Sequence, residues 1–160
     1  APGWVRWILA ILMLPAFVLF ACSLIGNPTA MGGAKLLAAG PRGIQRVTRH
    51  PKLWSFAIWA GVHVVGNGDS AALVYFGAFL VTALAGMPSI DAKMAKRHGR
   101  DWAGFAAATS ILPGGAILAG RGRLDLGEIG WIAPLAGFVL WAGFLHSHRH
   151  VFGVPALILG

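Results

Sequence analysis

Long apolar runs alternate with short basic segments along this chain, and the spacing of the interruptions predicts its elements. Residues 4–26, Trp4 to Gly26, are apolar apart from Arg6 and long enough to cross a hydrocarbon core of about 30 Å with some tilt. Trp4 and Trp7 stand at one end, where interfacial aromatics gather, and Gly26-Asn27-Pro28 closes the run. A second run goes from Pro51 to Val65. Pro51 suits a first helical position, and Gly66-Asn67-Gly68-Asp69 is a stop signal. This run is short for a crossing, which takes about 20 residues. A third span is predicted from Ala71 to Met87, ended by Pro88, and a last one from Ile129 to Leu145, with an apolar tail from Val151 to Gly160. Residues 89–109 read as a separate polar helix. Ile111 to Ala119 is apolar but too short to cross, so it is expected to be interfacial or re-entrant. The pattern predicts an all-α fold: a polytopic transmembrane helical bundle with about four spans plus an amphipathic, interfacial segment, in one membrane domain over residues 1–160.

Composition sharpens this reading. The chain of 160 residues is 57% hydrophobic and 11% charged, whereas soluble domains carry about 25% charged residues. The net charge of +8 does not point to nucleic acid, because the basic residues fall in clusters between apolar blocks and not over one solvated face. Segments 27–52 and 89–123 hold eleven of the thirteen Lys and Arg residues. The positive-inside rule therefore puts both on the cytoplasmic side, with the Gly66–Ser70 turn and the His146–His150 cluster opposite. The single cysteine, Cys22, sits in an apolar run and reads as a small buried residue.

His63 is the first candidate for chemistry. It lies 12 residues after Pro51, hence about 18 Å along the helix. An ionisable group inside a span marks either a functional site or a neutral histidine bonded to a neighbouring helix. Ser55 and Trp59 precede it by eight and four residues, broadly on the same face. His146, His148 and His150 form a second group, readable as metal ligands or as an interfacial surface. Arg46, Arg49, His50 and Lys52 either anchor the chain to anionic lipid or hold a phosphate or carboxylate. The Asp91–Phe105 segment is either a solvated amphipathic helix or a lid over a cofactor. No Walker loop, dinucleotide fingerprint, CxxC pair or hydrolase elbow occurs, which removes several enzyme classes.

Taken together, Gly43-Ile44-x-Arg46-Val47-Thr48-Arg49-His50-Pro51, Trp59-x-x-x-His63, Asn67-Gly68-Asp69, Asp91, Arg97-His98-Gly99, Trp102, Phe105, Thr109-Ser110, Pro113, Gly120-Arg121 and His146 to Gly153-Val154-Pro155 resemble the NnrU family of bacterial membrane proteins. The resemblance covers nearly the whole chain. It implies a multi-pass protein of the bacterial inner membrane, in contact with the lipid bilayer and with possible partner subunits, and associated with nitrite and nitric oxide respiration. The related plastid zeta-carotene isomerase is a haem b protein acting on an apolar polyene. Its axial histidine matches His63, so the resemblance implies haem b here, with His63 as metal ligand and Trp59 beside the cofactor. The isomerase has a cysteine three residues before that histidine, where this chain has Ala60. The family has further spans ahead of this region, one bearing a second histidine. The chain is therefore expected to lack upstream helices, leaving His146 and His148 as weaker candidates for the second ligand. The resemblance leaves the reaction open between cis-trans isomerisation of a carotenoid-type polyene and a redox role linked to nitrite and nitric oxide respiration. Two alternatives stand beside it: an S-adenosylmethionine-dependent methyltransferase of the Arg-His-Pro type, using Arg49, His50 and the Asp91–Phe105 segment, and a non-catalytic subunit of a membrane complex.

Overall fold

The computed structural model describes residues 2–28 and 33–157; residues 29–32 of the first basic segment and 158–160 of the tail lie outside it. The described residues are helical, without strands. Four long helices carry the fold: α1 (Gly3–Ser23), α2 (Pro51–Gly66), α3 (Ser70–Ala107) and, after the single-turn helices α4 (Gly115–Leu118) and α5 (Leu126–Ile129), α6 (Ile132–Phe152). Two 3-10 turns, Gly33–Ala39 and Gly43–Arg46, lie between α1 and α2.

Local signals explain most boundaries. Pro51 opens α2 at a position where a missing N–H has no intrahelical partner. The Asp69 side chain caps α3, accepting from the Ala72 N–H at 2.8 Å. Gly153 ends α6 in the left-handed region, φ 74°.

Two expectations are corrected. The third span does not stop at Pro88. Instead the helix that begins at Ser70 runs through it to Gly99, whose φ of 46° and ψ of −114° make a kink, beyond which a second helical stretch over residues 100–107 completes α3. A proline removes one backbone bond, and packing outweighs that loss here: Ala83 and Met87 are buried, and Gly86 lies against the Leu53 side chain. The first part of the polar segment, residues 89–98, thus continues the third helix, and the rest lies beyond the Gly99 kink. The last span does not end at Leu145, because nothing before Gly153 breaks it, and the histidine cluster lies on the helix. Of Ile111–Ala119, only the turn beginning at Gly115 is helical. Among the described residues two helices, Gly3–Ser23 and Ser70–Ala107, are long and apolar enough to cross a membrane by length and composition; about four spans were expected, one of them short.

Each long helix runs antiparallel to the neighbour it packs on. Against α1 lie α2, through Phe20–Phe56 at 6.2 Å and Leu9 beside Gly66, and α6, through Phe17–Phe144 at 5.5 Å. The Trp141 indole N–H donates to the Ala10 carbonyl at 2.8 Å. At Gly137 the contact is backbone to backbone: a Cβ there would stand 2.7 Å from the Val18 Cα. On its other side, α2 packs on α3. The row α6–α1–α2–α3 therefore has two distinct ends. One carries His63, Asn67, His148 and the Gly153–Ala156 tail, the other the Arg46–Pro51 segment, Asp91 and residues 105–131. Large apolar side chains such as Ile11, Val74, Val81, Leu84, Phe138 and Val139 point outward along the row.

Candidate functional site

The end bearing the Arg-His-Pro segment is a closed polar lattice. His50, 2% exposed, shares a 2.7 Å hydrogen bond between Nε2 and Asp91 Oδ1. The other carboxylate oxygen, Oδ2, lies 3.2 Å from Arg49 Nε. Arg49 also donates from Nη1 to the Ala106 carbonyl at 3.1 Å and to Thr109 Oγ1 at 3.3 Å, and its guanidinium lies over the Trp102 ring. Burial lowers the Arg49 pKa, and the Asp91 carboxylate opposes that shift. Thr48, fully buried, donates to the Ile111 carbonyl at 2.7 Å, as does the Trp54 indole at the same distance. The Arg49 N–H donates to the Ser110 carbonyl at 3.0 Å. These bonds tie residues 47–54 to 106–114.

Beside that lattice, Arg46 grips Glu128 with two parallel bonds, Nε to Oε2 at 2.7 Å and Nη2 to Oε1 at 2.9 Å. The Gly43 N–H adds a third at 3.0 Å. The Arg46 bonds and the Gly43 N–H pull the Glu128 carboxyl down from 4.5 to about 2. Gly43 sits at φ 54°, and a Cβ there would meet the Glu128 carbonyl at 3.2 Å, so a glycine is required. Gln45 Nε2 donates to the Gly26 carbonyl and holds the end of α1 in place. Of the two sequence readings for Arg46 and Arg49, ligand binding or anchoring, the structure gives both side chains a structural role inside the fold.

At the opposite end, His63 stands in the last turn of α2. Its Nδ1–H donates to the Trp59 carbonyl at 2.7 Å, because a carbonyl can only accept. In the neutral ring that bond fixes the tautomer, and Nε2 is the nitrogen that carries the lone pair. The ring is held by Trp59 at 5.2 Å and by near-parallel Phe76 at 4.7 Å, with Trp59 edge-on to Phe76 and Phe79. Beyond His63 a cavity of about 240 Å³ opens between α1, α2 and α6. Met13, Phe17, Val62 and Phe144 are among its apolar walls; His63, Asn67, Arg6 and His148 supply the polar groups. Its cover is the tail after α6: Val154, Pro155 and Ala156 line the cavity, Arg6 Nη1 donates to the Pro155 carbonyl at 3.0 Å, and the His148 Nδ1–H to the Val154 carbonyl at 2.7 Å.

The residues singled out from sequence separate accordingly. His63, Trp59 and His148 come together. His146 and His150 are exposed and do not line the cavity. Ser55 is buried and donates to the Lys52 carbonyl at 2.6 Å, a bond within its own helix. Glu128 was missed as the partner of Arg46. Its signal was scarcity: with only five acids against thirteen Lys and Arg, each carboxylate is a sought-after partner. Asp69 caps, Asp91 pairs, Asp125 caps Glu128 and Glu128 pairs.

A family model described as NnrU protein matches residues 1–156. Among curated proteins, the chloroplastic 15-cis-zeta-carotene isomerase of Arabidopsis thaliana is 33% identical over 79 residues, which are 49% of this chain and 22% of that protein. The Zea mays protein of the same name is 32% identical over 82 residues, 51% of this chain and 22% of its own length. The matched region is thus about a fifth of each relative's length. No solved structure matches.

Proposed function

The chain belongs to the NnrU family, and on that footing we propose that it is a haem-b-binding membrane protein that isomerises a cis double bond in an apolar polyene. In this reading all four long helices cross a bacterial inner membrane. α2, at 16 residues, spans about 24 Å and is flanked by α1 and α3. The Arg46–Lys52 end and the distal part of α3 are cytoplasmic, in line with their Lys and Arg content.

The observation that carries the proposal is the His63 imidazole, with its Nδ1–H committed to the Trp59 carbonyl and set at an apolar cavity between helices. A neutral imidazole oriented through one nitrogen by a carbonyl is the arrangement metal-ligating histidines use. The donor chemistry therefore fits haem iron. The cavity of about 240 Å³ is smaller than a tetrapyrrole, so the match is to the ligating nitrogen and not to the whole group. Bound haem would supply a redox-active iron whose reactivity its protein ligands tune. The chain's own residues do the rest. His63 would hold the metal, and Phe76 and Trp59 fix the imidazole ring. The apolar walls of α1 and α6 bind a long hydrocarbon and exclude water. The names of the two plant relatives support a polyene substrate.

The Arg49–His50–Asp91 lattice speaks against methyl transfer at the other end, since those side chains are committed to one another. The reaction is tested by incubating haem-loaded protein in lipid with a cis-configured carotene and separating the isomers by chromatography. Wild type converts the cis isomer, and folded His63→Ala leaves it unchanged. Haem-loaded wild type that gives no conversion under oxidised or reduced conditions contradicts the isomerase reading.

A further inference from the structure

The basic side of the distal part of α3 is a charged surface that the chemistry at His63 leaves unused. Lys93, Lys96, Arg97 and Arg100 are exposed. Among the described residues none of the four meets a carboxylate within 4.0 Å; the ion pairs belong to Arg46, Arg49, His50 and Arg123. Asp101, exposed beside them, pairs with none. Lys93, Lys96 and Arg97 stand at i, i+3 and i+4, hence on one face of the helix before the Gly99 kink, and Arg100 follows directly after it. The face is fixed from its other side. Met94, Trp102 and Phe105 are buried against Leu37, and Asp91 turns inward to His50 and Arg49.

Two observations select the partner. Between Leu84 and Leu112 no large apolar side chain is exposed. The cations are flanked by Ala92, Ala95 and Gly99, so the surface lacks the aromatic or aliphatic anchors on which protein interfaces are built. The second observation is depth. Lys93 and Arg97 lie six and ten residues past Met87, about 9 and 15 Å along the helix, while the headgroup layer outside the hydrocarbon is about 5–7 Å deep. Side chains on a helix lean towards its N-terminus. For α3 that direction is towards the apolar span, so the long Lys and Arg side chains carry their charges back to the phosphates.

We propose that the Lys93–Arg100 face of α3 binds the phosphate headgroups of anionic phospholipid in the leaflet at this end, and so gathers anionic lipid around the protein. The inference rests on the membrane placement given above and not on the haem reading.

The test is lipid preference at the protein boundary. The purified chain is reconstituted in phosphatidylcholine with a trace of spin-labelled phosphatidylglycerol or spin-labelled phosphatidylcholine. Electron paramagnetic resonance then gives the motionally restricted fraction of each label. Wild type is expected to prefer the anionic label about fivefold, the contribution of roughly one cation near an anionic surface, and to lose that preference at high salt. The triple variant Lys93→Gln, Lys96→Gln, Arg97→Gln is expected to lose most of it. The triple variant Lys35→Gln, Lys52→Gln, Arg123→Gln removes the same charge from the same end and is expected to keep it. Should the first triple variant not fold, Lys96→Gln with Arg97→Gln reads out the same loss in part. Equal restriction of both labels by wild type, or equal losses in the two triple variants, overturns the headgroup assignment and leaves the membrane placement standing. A chain that restricts neither label is outside the bilayer and overturns both.

Discussion

Asp91 shows at the scale of one residue how the conspicuous motif of this chain is used. Its carboxylate faces the buried His50 ring and the Arg49 guanidinium together. Neutralising it strands a cation that burial already penalises. Asp91→Asn is therefore expected to destabilise the protein by about 3 kcal/mol, the low end for breaking a buried pair, since Asp91 keeps some contact with solvent. Lys93→Ala, two residues on and exposed, changes stability by less than about 0.5 kcal/mol. Denaturant or thermal unfolding in detergent compares the two. Equal effects would contradict the role given to Asp91. The sequence brought Arg49, His50 and the Asp91 segment to attention, yet not their mutual contact, which bridges 41 residues between His50 and Asp91. His63 was legible for the opposite reason: a histidine inside an apolar run stands out without knowledge of its partners. His148 was harder to find, because its neighbours His146 and His150 have the same composition signal and differ only in the direction they face.

Among the elements, the contact of α1 with α6 depends on Gly137, where any side chain meets the Val18 and Phe17 backbone within 3 Å. Gly137→Ala is expected to cost about 1–3 kcal/mol and to widen the cavity that the two helices share. Gly143→Ala, on the same helix with open space around it, is the neutral control. An equal loss in both would contradict the close-approach account, since alanine favours a helix more than glycine does. The α5 clasp has a pH signature. Glu128 has its pKa depressed from 4.5 to about 2 on folding. Its contribution is therefore fully present above pH 4.5 and is lost as pH falls towards 2. Trp131, three residues along, reports the release: its fluorescence is expected to change over that window in wild type and to stay flat in Glu128→Gln. The helix boundaries were legible wherever glycine, aspartate or an opening proline set them, as at Pro51 and Asp69. They were misplaced at Pro88 and Leu145, where lateral packing or the absence of a breaker extends the helix.

At the scale of the molecule, the antiparallel row α6–α1–α2–α3 separates two ends of different chemistry. One is a polar lattice that fastens loops to helix ends, and the other is an apolar cavity with two oriented imidazoles. All-helical character and the segregation of basic residues followed directly from apolar run lengths and Lys and Arg positions. The count of crossings did not, because a 16-residue α2 and a histidine-bearing α6 depart from the length and composition of an ordinary span. Topology is tested with single cysteines in a Cys22→Ser background. Gly68→Cys and Lys96→Cys are expected to react with a membrane-impermeant thiol reagent from opposite sides of the membrane, and reaction from one side would contradict the four-crossing arrangement. The central claim is that His63 binds haem, and haem content per chain tests it most directly. Purified wild type is expected to carry about one haem b with a Soret band, and folded His63→Ala to lose it. Equal haem in both proteins would contradict the claim.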